Sequence, residues 1–250
     1  MFIEFGLTVL GISFLIGFGG TVLWKKDSLQ WRTFLFFYTF LPAVICIVVF
    51  FVLRNTWSLG DFSFTKFSFW YAALGLLIPL VFQTINLLVQ LQRSSYAFKA
   101  DTDLKKVIPI VLVNVVLLII FVSGEEIGWR GFIQSQAIER YGSITGVLLL
   151  GLVWGFWHAP VALRGHNLSA CFWAEAFLLY PYMCICYSFP MAFLTIQSGS
   201  IWPALIFHAT NNALGSISIQ FVDKKKPQLE ILLLMITGTV VLLPFAYFLV

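Results

Sequence analysis

Glu125 and Glu126 follow directly on an apolar run, in the stretch Gly124-Glu125-Glu126-Ile127-Gly128-Trp129-Arg130-Gly131-Phe132. An ionisable side chain within a membrane is expensive, so it faces a bundle interior and marks function. Neighbouring residues on a helix point about 100° apart, so the two carboxylates cannot share one role. Glu126 and Arg130 are spaced i, i+4 with the acid first, the favourable order for an intrahelical ion pair. Such a pair neutralises Glu126 and leaves Glu125 as the acid or base. The plainer alternative is a membrane-surface helix whose acids sit at its positive N-terminus.

A histidine, His158, lies in Trp154-Gly155-Phe156-Trp157-His158-Ala159-Pro160. Pro160 should kink or end the helix just past His158 and expose backbone carbonyls beside the imidazole. Gly151 and Gly155, like Gly124, Gly128 and Gly131, are small residues at a spacing that admits a close neighbouring helix. A second histidine, His208, stands four residues before Asn212 and so shares its helical face, with Asn211 as a possible substitute. Singly, each motif has an ordinary reading as a packed or hydrogen-bonded core residue. Together, Glu125, His158, His208 and Asn212 supply what hydrolysis needs: a base for water, a second proton carrier, and donors for a developing oxyanion.

The elements that must position these residues are set by composition. The chain has 250 residues, 60% hydrophobic and only 10% charged, with a mean hydropathy of +0.93. Lipid must be the main solvent for such a surface. Runs near the ~20 residues that cross a bilayer fall at 2–23, 33–53, 69–91, 107–123, 144–163, 171–196, 201–219 and 229–250. The expectation is an all-α, polytopic membrane helix bundle of about eight transmembrane helices, in one domain over 1–250, with the motif-bearing core at about 107–219. The first run lacks basic residues ahead of it and a small-residue cleavage signal after it, so it is read as a retained helix. The four cysteines lie in apolar segments without metal-type spacing and are expected to be packed, reduced thiols.

Basic residues alternate between connections. Lys25, Lys26 and Arg32 stand after the first run, Arg93, Lys99, Lys105 and Lys106 after the third, Arg164 after the fifth, and Lys224, Lys225 and Lys226 after the seventh. The opposite loops hold Arg54, Lys66 and Arg140. The positive-inside rule places the first set in the cytoplasm and both termini outside it. The net charge of +4 is explained by topology, and no nucleic-acid partner is expected. Trp24, Trp31, Trp57, Trp70 and Trp202 fall near expected helix ends, as interfacial anchors do. His166, in the basic loop after the fifth run, is expected to be solvated. No internal repeat is visible, which disfavours a proton-coupled transporter.

In order and spacing, Glu125-Glu126-x-x-x-Arg130, the aromatic Trp154-x-x-x-His158, and His208-x-x-x-Asn212 on successive apolar segments resemble the intramembrane CPBP peptidases. These include the type II CAAX prenyl endopeptidases and bacterial immunity-type relatives, and the wording of the motifs is similar to the prokaryotic branch. The likeness covers about 90 residues, Glu125 to Asn212. It implies an intramembrane endopeptidase in a prokaryotic cell membrane, acting on membrane-associated or hydrophobic peptides. Glu125 and His158 would activate water, His208 and Asn212 would stabilise the oxyanion, and Glu126 and Arg130 would support the site. The family has been described both as metalloproteases and as metal-independent glutamate peptidases. Zinc is therefore a possible cofactor, with Glu125, His158 and His208 as its ligands; direct activation by Glu and His is slightly preferred. The alternative is a non-enzymatic membrane regulator or immunity scaffold of the same fold.

Depth poses a geometric problem. With the boundaries above, His158 falls near the cytoplasmic side and Glu125 and His208 near the outer side, a mismatch of up to ~15 Å at 1.5 Å per residue. Shifted boundaries, tilted spans, or a break of the segment 107–141 near Gly124 into two helices would resolve it, and a break or tilt is preferred.

Overall fold

The computed structural model describes residues 2–53, 66–99, 104–164 and 172–250. In chain order the helices are α1 (Phe2–Leu23), α2 (Leu29–Leu53), α3 (Phe69–Gln92), α4 (Leu104–Glu126), α5 (Gln134–Tyr141), α6 (Ser143–Trp157), α7 (Ala159–Leu163), α8 (Phe172–Ala174), α9 (Tyr180–Ser198), α10 (Trp202–Phe221) and α11 (Pro227–Leu242). A π-helical stretch, Ile127–Ile133, joins α4 to α5, and another, Glu175–Leu179, joins α8 to α9. Two short strands, β1 (Tyr96–Phe98) and β2 (Val222–Lys224), pair antiparallel.

Among the described residues, six stretches are long and apolar enough to cross a membrane: Leu29–Val49, Phe69–Gln92, Val107–Tyr141, Ser143–Leu163, Phe172–Ser198 and Gln228–Leu249. Each answers to one of the expected runs. The remaining two runs are α1, with a shorter apolar helix at Thr8–Leu23, and α10. The latter packs against α3, α4 and α9 and turns His208, Thr210 and Asn211 inward, so protein rather than lipid is its main surrounding. The chain is an all-α, multi-pass integral membrane protein.

The segment 107–141 does not break near Gly124. It continues as one helical rod, with the π-helical turns immediately after Glu126. The expected boundary at residue 123 is what fails, because the polar residues that seemed to end the span are buried inside it: Glu125, Glu126, Arg130 and Gln134 are at most 5% exposed. At the far end the rod reverses at Gly142, whose φ of 78° lies in the left-handed region that favours glycine. Glu125 stands 17 residues before this turn and His158 stands 16 after it, so an antiparallel helical hairpin brings them level. A hairpin thus does what a break was expected to do.

Small residues let the rods close. A Cβ on Gly124 would lie 2.5 Å from the Cα of Phe40 in α2, and one on Gly155 would lie 2.2 Å from the Cα of Pro181 in α9. Near-contact of backbones is the packing mode that small residues permit in membranes. The α6 helix ends at Trp157, one residue short of His158, and resumes as α7 at Ala159, with Pro160 in its first turn. The carbonyl of Trp157 accepts a hydrogen bond from the Tyr38 hydroxyl at 3.0 Å, which ties α2 to the end of α6.

The basic connections meet at one end of the bundle. Strands β1 and β2 join the connection after α3 to the one after α10, Lys225 N–H donates to the Ser95 carbonyl, and Arg164 reaches the Trp24 carbonyl. Cys46, Cys184 and Cys186 are free and buried. Trp31 is 0% exposed and belongs to the core rather than to an interface, because it packs inward on Phe34. Trp57, Cys171 and His166 lie outside the described residues.

Candidate active site

Trp154 is the hub of the site. Its indole Nε1–H donates to Glu125 Oε2 at 2.8 Å, the ring lies 5.8 Å from that of His158 and 5.3 Å from that of His208, and the Arg130 guanidinium carbon sits 4.1 Å from its centroid. Placed on α6 four residues before His158, it shares that residue's helical face. An indole can only donate, so its partner must accept; the contact aims one oxygen of Glu125 and leaves the other for chemistry.

Glu126 serves a different group. Its Oε1 accepts from Arg130 Nη1 at 3.2 Å and lies 2.7 Å from His208 Nδ1. Arg130 Nη2 also donates to Ser188 Oγ on α9 at 3.3 Å. Both members of the ion pair have side chains 0% exposed, so each charge depends on the other. The expected i, i+4 pair therefore forms, and it carries a task that spacing did not show: with Nδ1–H directed at a carboxylate, the His208 ring is fixed and its Nε2 edge faces away from Glu126.

His158 is oriented by backbone. Its Nδ1 lies 2.9 Å from the carbonyl oxygen of Trp154, so Nδ1 carries the proton and Nε2 the lone pair of the neutral ring. The ring stacks on Tyr180 with centroids 4.6 Å apart and planes 12° apart. Tyr180 opens α9 beside Pro181, where Gly155 allows the close approach, so a glycine on one helix sets the ring that clamps the histidine on the same helix.

Glu125, His158, His208, Asn211 and Asn212 all line one cavity of about 580 Å³. Sequence reasoning thus picked residues that the fold brings together. It missed Trp154 as a donor, having taken it only as a patterned aromatic. Also missed was Gln83 on α3, whose Nε2 donates to Asn211 Oδ1 at 2.8 Å. The available signal was its place in an apolar run, in helical register with the buried Asn86 and Gln90.

For zinc, the donor chemistry suits but the arrangement does not. Among the described residues no three His, Cys, Asp or Glu side chains are grouped to hold a metal ion. The Trp154 indole donates to Glu125 Oε2, and its ring lies against both imidazoles.

Comparison with known proteins gives two findings. Residues 106–214 match the family described as type II CAAX prenyl endopeptidase Rce1-like. A stretch of 45 residues is 36% identical to CAAX prenyl protease 2 of Methanococcus maripaludis, covering 18% of this chain and 17% of that protein. The family match contains Glu125, Glu126, Arg130, His158, His208 and Asn212. Over residues 106–214, less than half of its length, the chain is similar to the Rce1-like type II CAAX prenyl endopeptidases.

Proposed function

We propose that this protein is an intramembrane endopeptidase that hydrolyses membrane-associated or hydrophobic peptides, CAAX-type sequences among them. The observation that carries this is the convergence of a buried carboxylate and two imidazoles, from α4, the junction of α6 with α7, and α10, on one indole at the wall of a single cavity.

Glu125 is the general base. It takes a proton from a water in the cavity as the water oxygen attacks the peptide carbonyl carbon, and it returns the proton to the amide nitrogen as the C–N bond breaks. One water is consumed, and an acid and an amine leave. His158 holds that water through Nε2, its ring fixed by the Trp154 carbonyl and Tyr180. His208 acts as an imidazolium, with Nδ1–H on Glu126 and Nε2–H on the oxyanion. Asn212, one helical turn along, adds its amide. Glu126 and Arg130 hold His208 in place and share the charge. No step in this scheme is routed through zinc.

The test uses purified protein in detergent and a quenched fluorescent prenylated CAAX peptide. Glu125→Gln and His158→Ala should each lower kcat by about 10²-fold to 10⁴-fold. Cleavage by Glu125→Gln at the parent's rate would sink the hydrolytic reading.

A further inference from the structure

Part of the cavity wall is built by α3, which lies outside the family-matched segment. On that wall Gln83 Nε2 donates to Asn211 Oδ1 at 2.8 Å, and both residues line the cavity. A carboxamide has one accepting oxygen and one NH₂ group. With the oxygen of Asn211 occupied by Gln83, its NH₂ is turned away from α3, where one N–H has the Tyr187 hydroxyl oxygen as a partner and the second is left for the cavity. Asn211 is 8% exposed and stands three residues after His208, on the same face of α10. Asn212 is only half-buried, and no bond among the described residues fixes its amide. A donor already aimed before charge develops needs no reorganisation during the reaction, which is the condition under which oxyanion donors are effective.

We infer that Asn211, oriented by Gln83, is a further oxyanion donor beside His208, and that Gln83 is a positioning residue acting through it. This rests on the hydrolytic reading above. Packing supports the pairing: a Cβ on Gly75, two turns before Gln83, would lie 2.4 Å from the Pro203 carbonyl oxygen, two turns before Asn211. The α3 and α10 helices therefore run side by side in a fixed register, and residues 75 and 203 set the contact that 83 and 211 use.

Three variants test it, each checked for an unchanged melting temperature in detergent. Asn211→Asp keeps an acceptor for Gln83 but removes the N–H, and kcat should fall about 10²-fold with KM within a few-fold. Gln83→Leu frees the amide to rotate, and kcat should fall about tenfold at unchanged KM. Adding Gln83→Leu to Asn211→Asp should cost nothing more, because the first acts only through the second. A non-cleavable phosphonate peptide that mimics the tetrahedral intermediate gives a second readout. Asn211→Asp should weaken its binding about 10²-fold while leaving the affinity for an uncleaved peptide alone. The inference is overturned if Gln83→Leu keeps the parent's kcat, or if the two losses multiply. Those outcomes, with Glu125→Gln inactive, show that Gln83 does not position Asn211 for the reaction and leave the hydrolytic reading standing; a fully active Glu125→Gln removes the latter instead.

Discussion

A single indole N–H decides how Glu125 presents itself, which gives Trp154 a sharp expected phenotype. Trp154→Phe keeps an aromatic ring beside both imidazoles but deletes the donor. Hydrogen bonds to charged groups are worth about 1.5–3 kcal/mol, so kcat should fall at least tenfold, as measured on the fluorescent peptide, with little change in KM. Glu126→Gln has a different signature. It leaves the Arg130 charge buried without its counterion, a loss of about 3–5 kcal/mol that thermal unfolding in detergent would register before any assay of cleavage. Glu126→Gln protein as stable as the parent would contradict the ion-pair account. At this scale the sequence was highly legible, because intramembrane charge is conspicuous. Glu125, Arg130, His158 and His208 announced themselves by their cost in lipid. Trp154, Gln83 and the contact between Glu126 and His208 did not, because each depends on which helix faces which, and apolar periodicity carries no such information.

Helices were legible in number but not in extent. The run 107–123 ended on paper where charge began, yet charge that is buried in protein does not end a span, and the rod continues to Tyr141. Helix contacts, in turn, hang on glycines whose spacing was visible but whose partners were not. Gly155→Ala would force its new methyl carbon to within 2.2 Å of the Pro181 backbone. Overpacking of this kind costs about 1–3 kcal/mol and should shift Tyr180 off His158, lowering both melting temperature and kcat. Gly11, with nothing within 4 Å of the added carbon, is the control, and Gly11→Ala should match the parent in both. At the basic end, the Tyr96 hydroxyl donates to Glu230 Oε1 at 2.7 Å, and Lys224 Nζ donates to the same oxygen at 2.7 Å, so β1, β2 and α11 are tied together. Burial and the Glu230 carboxylate push the Tyr96 phenol well above its ordinary value near 10. A folded-state pKa above the unfolded one gives stability that is intact below pH ~10 and is lost as pH rises beyond it. Tyr96→Phe should flatten that alkaline decline, as followed by thermal unfolding across pH 9 to 11.

For the molecule as a whole, charge and hydropathy specified a membrane bundle, and the structure adds that the basic connections share one end. Cysteines placed at Lys225 and at Glu139 should be labelled by an impermeant maleimide from opposite faces of the membrane. Labelling of both from the same face would refute the predicted topology. Metal dependence also belongs to the intact protein. The proposed mechanism predicts that active protein holds less than one zinc per chain and keeps its rate in the presence of a chelator; loss of activity restored by added zinc would show the opposite. The cavity has one further consequence. Glu125, His158 and His208 come from 106–214, but Arg32, Tyr38, Gln83, Asn86, Tyr96 and Glu230, which line it as well, come from the remainder of the chain. On the proposed reading, the acid and histidines lie in one stretch and much of the lining that meets the substrate in another, so a chimaera that keeps the middle of this protein and Gln83 but exchanges the rest of its flanks should still cut peptides, but different ones.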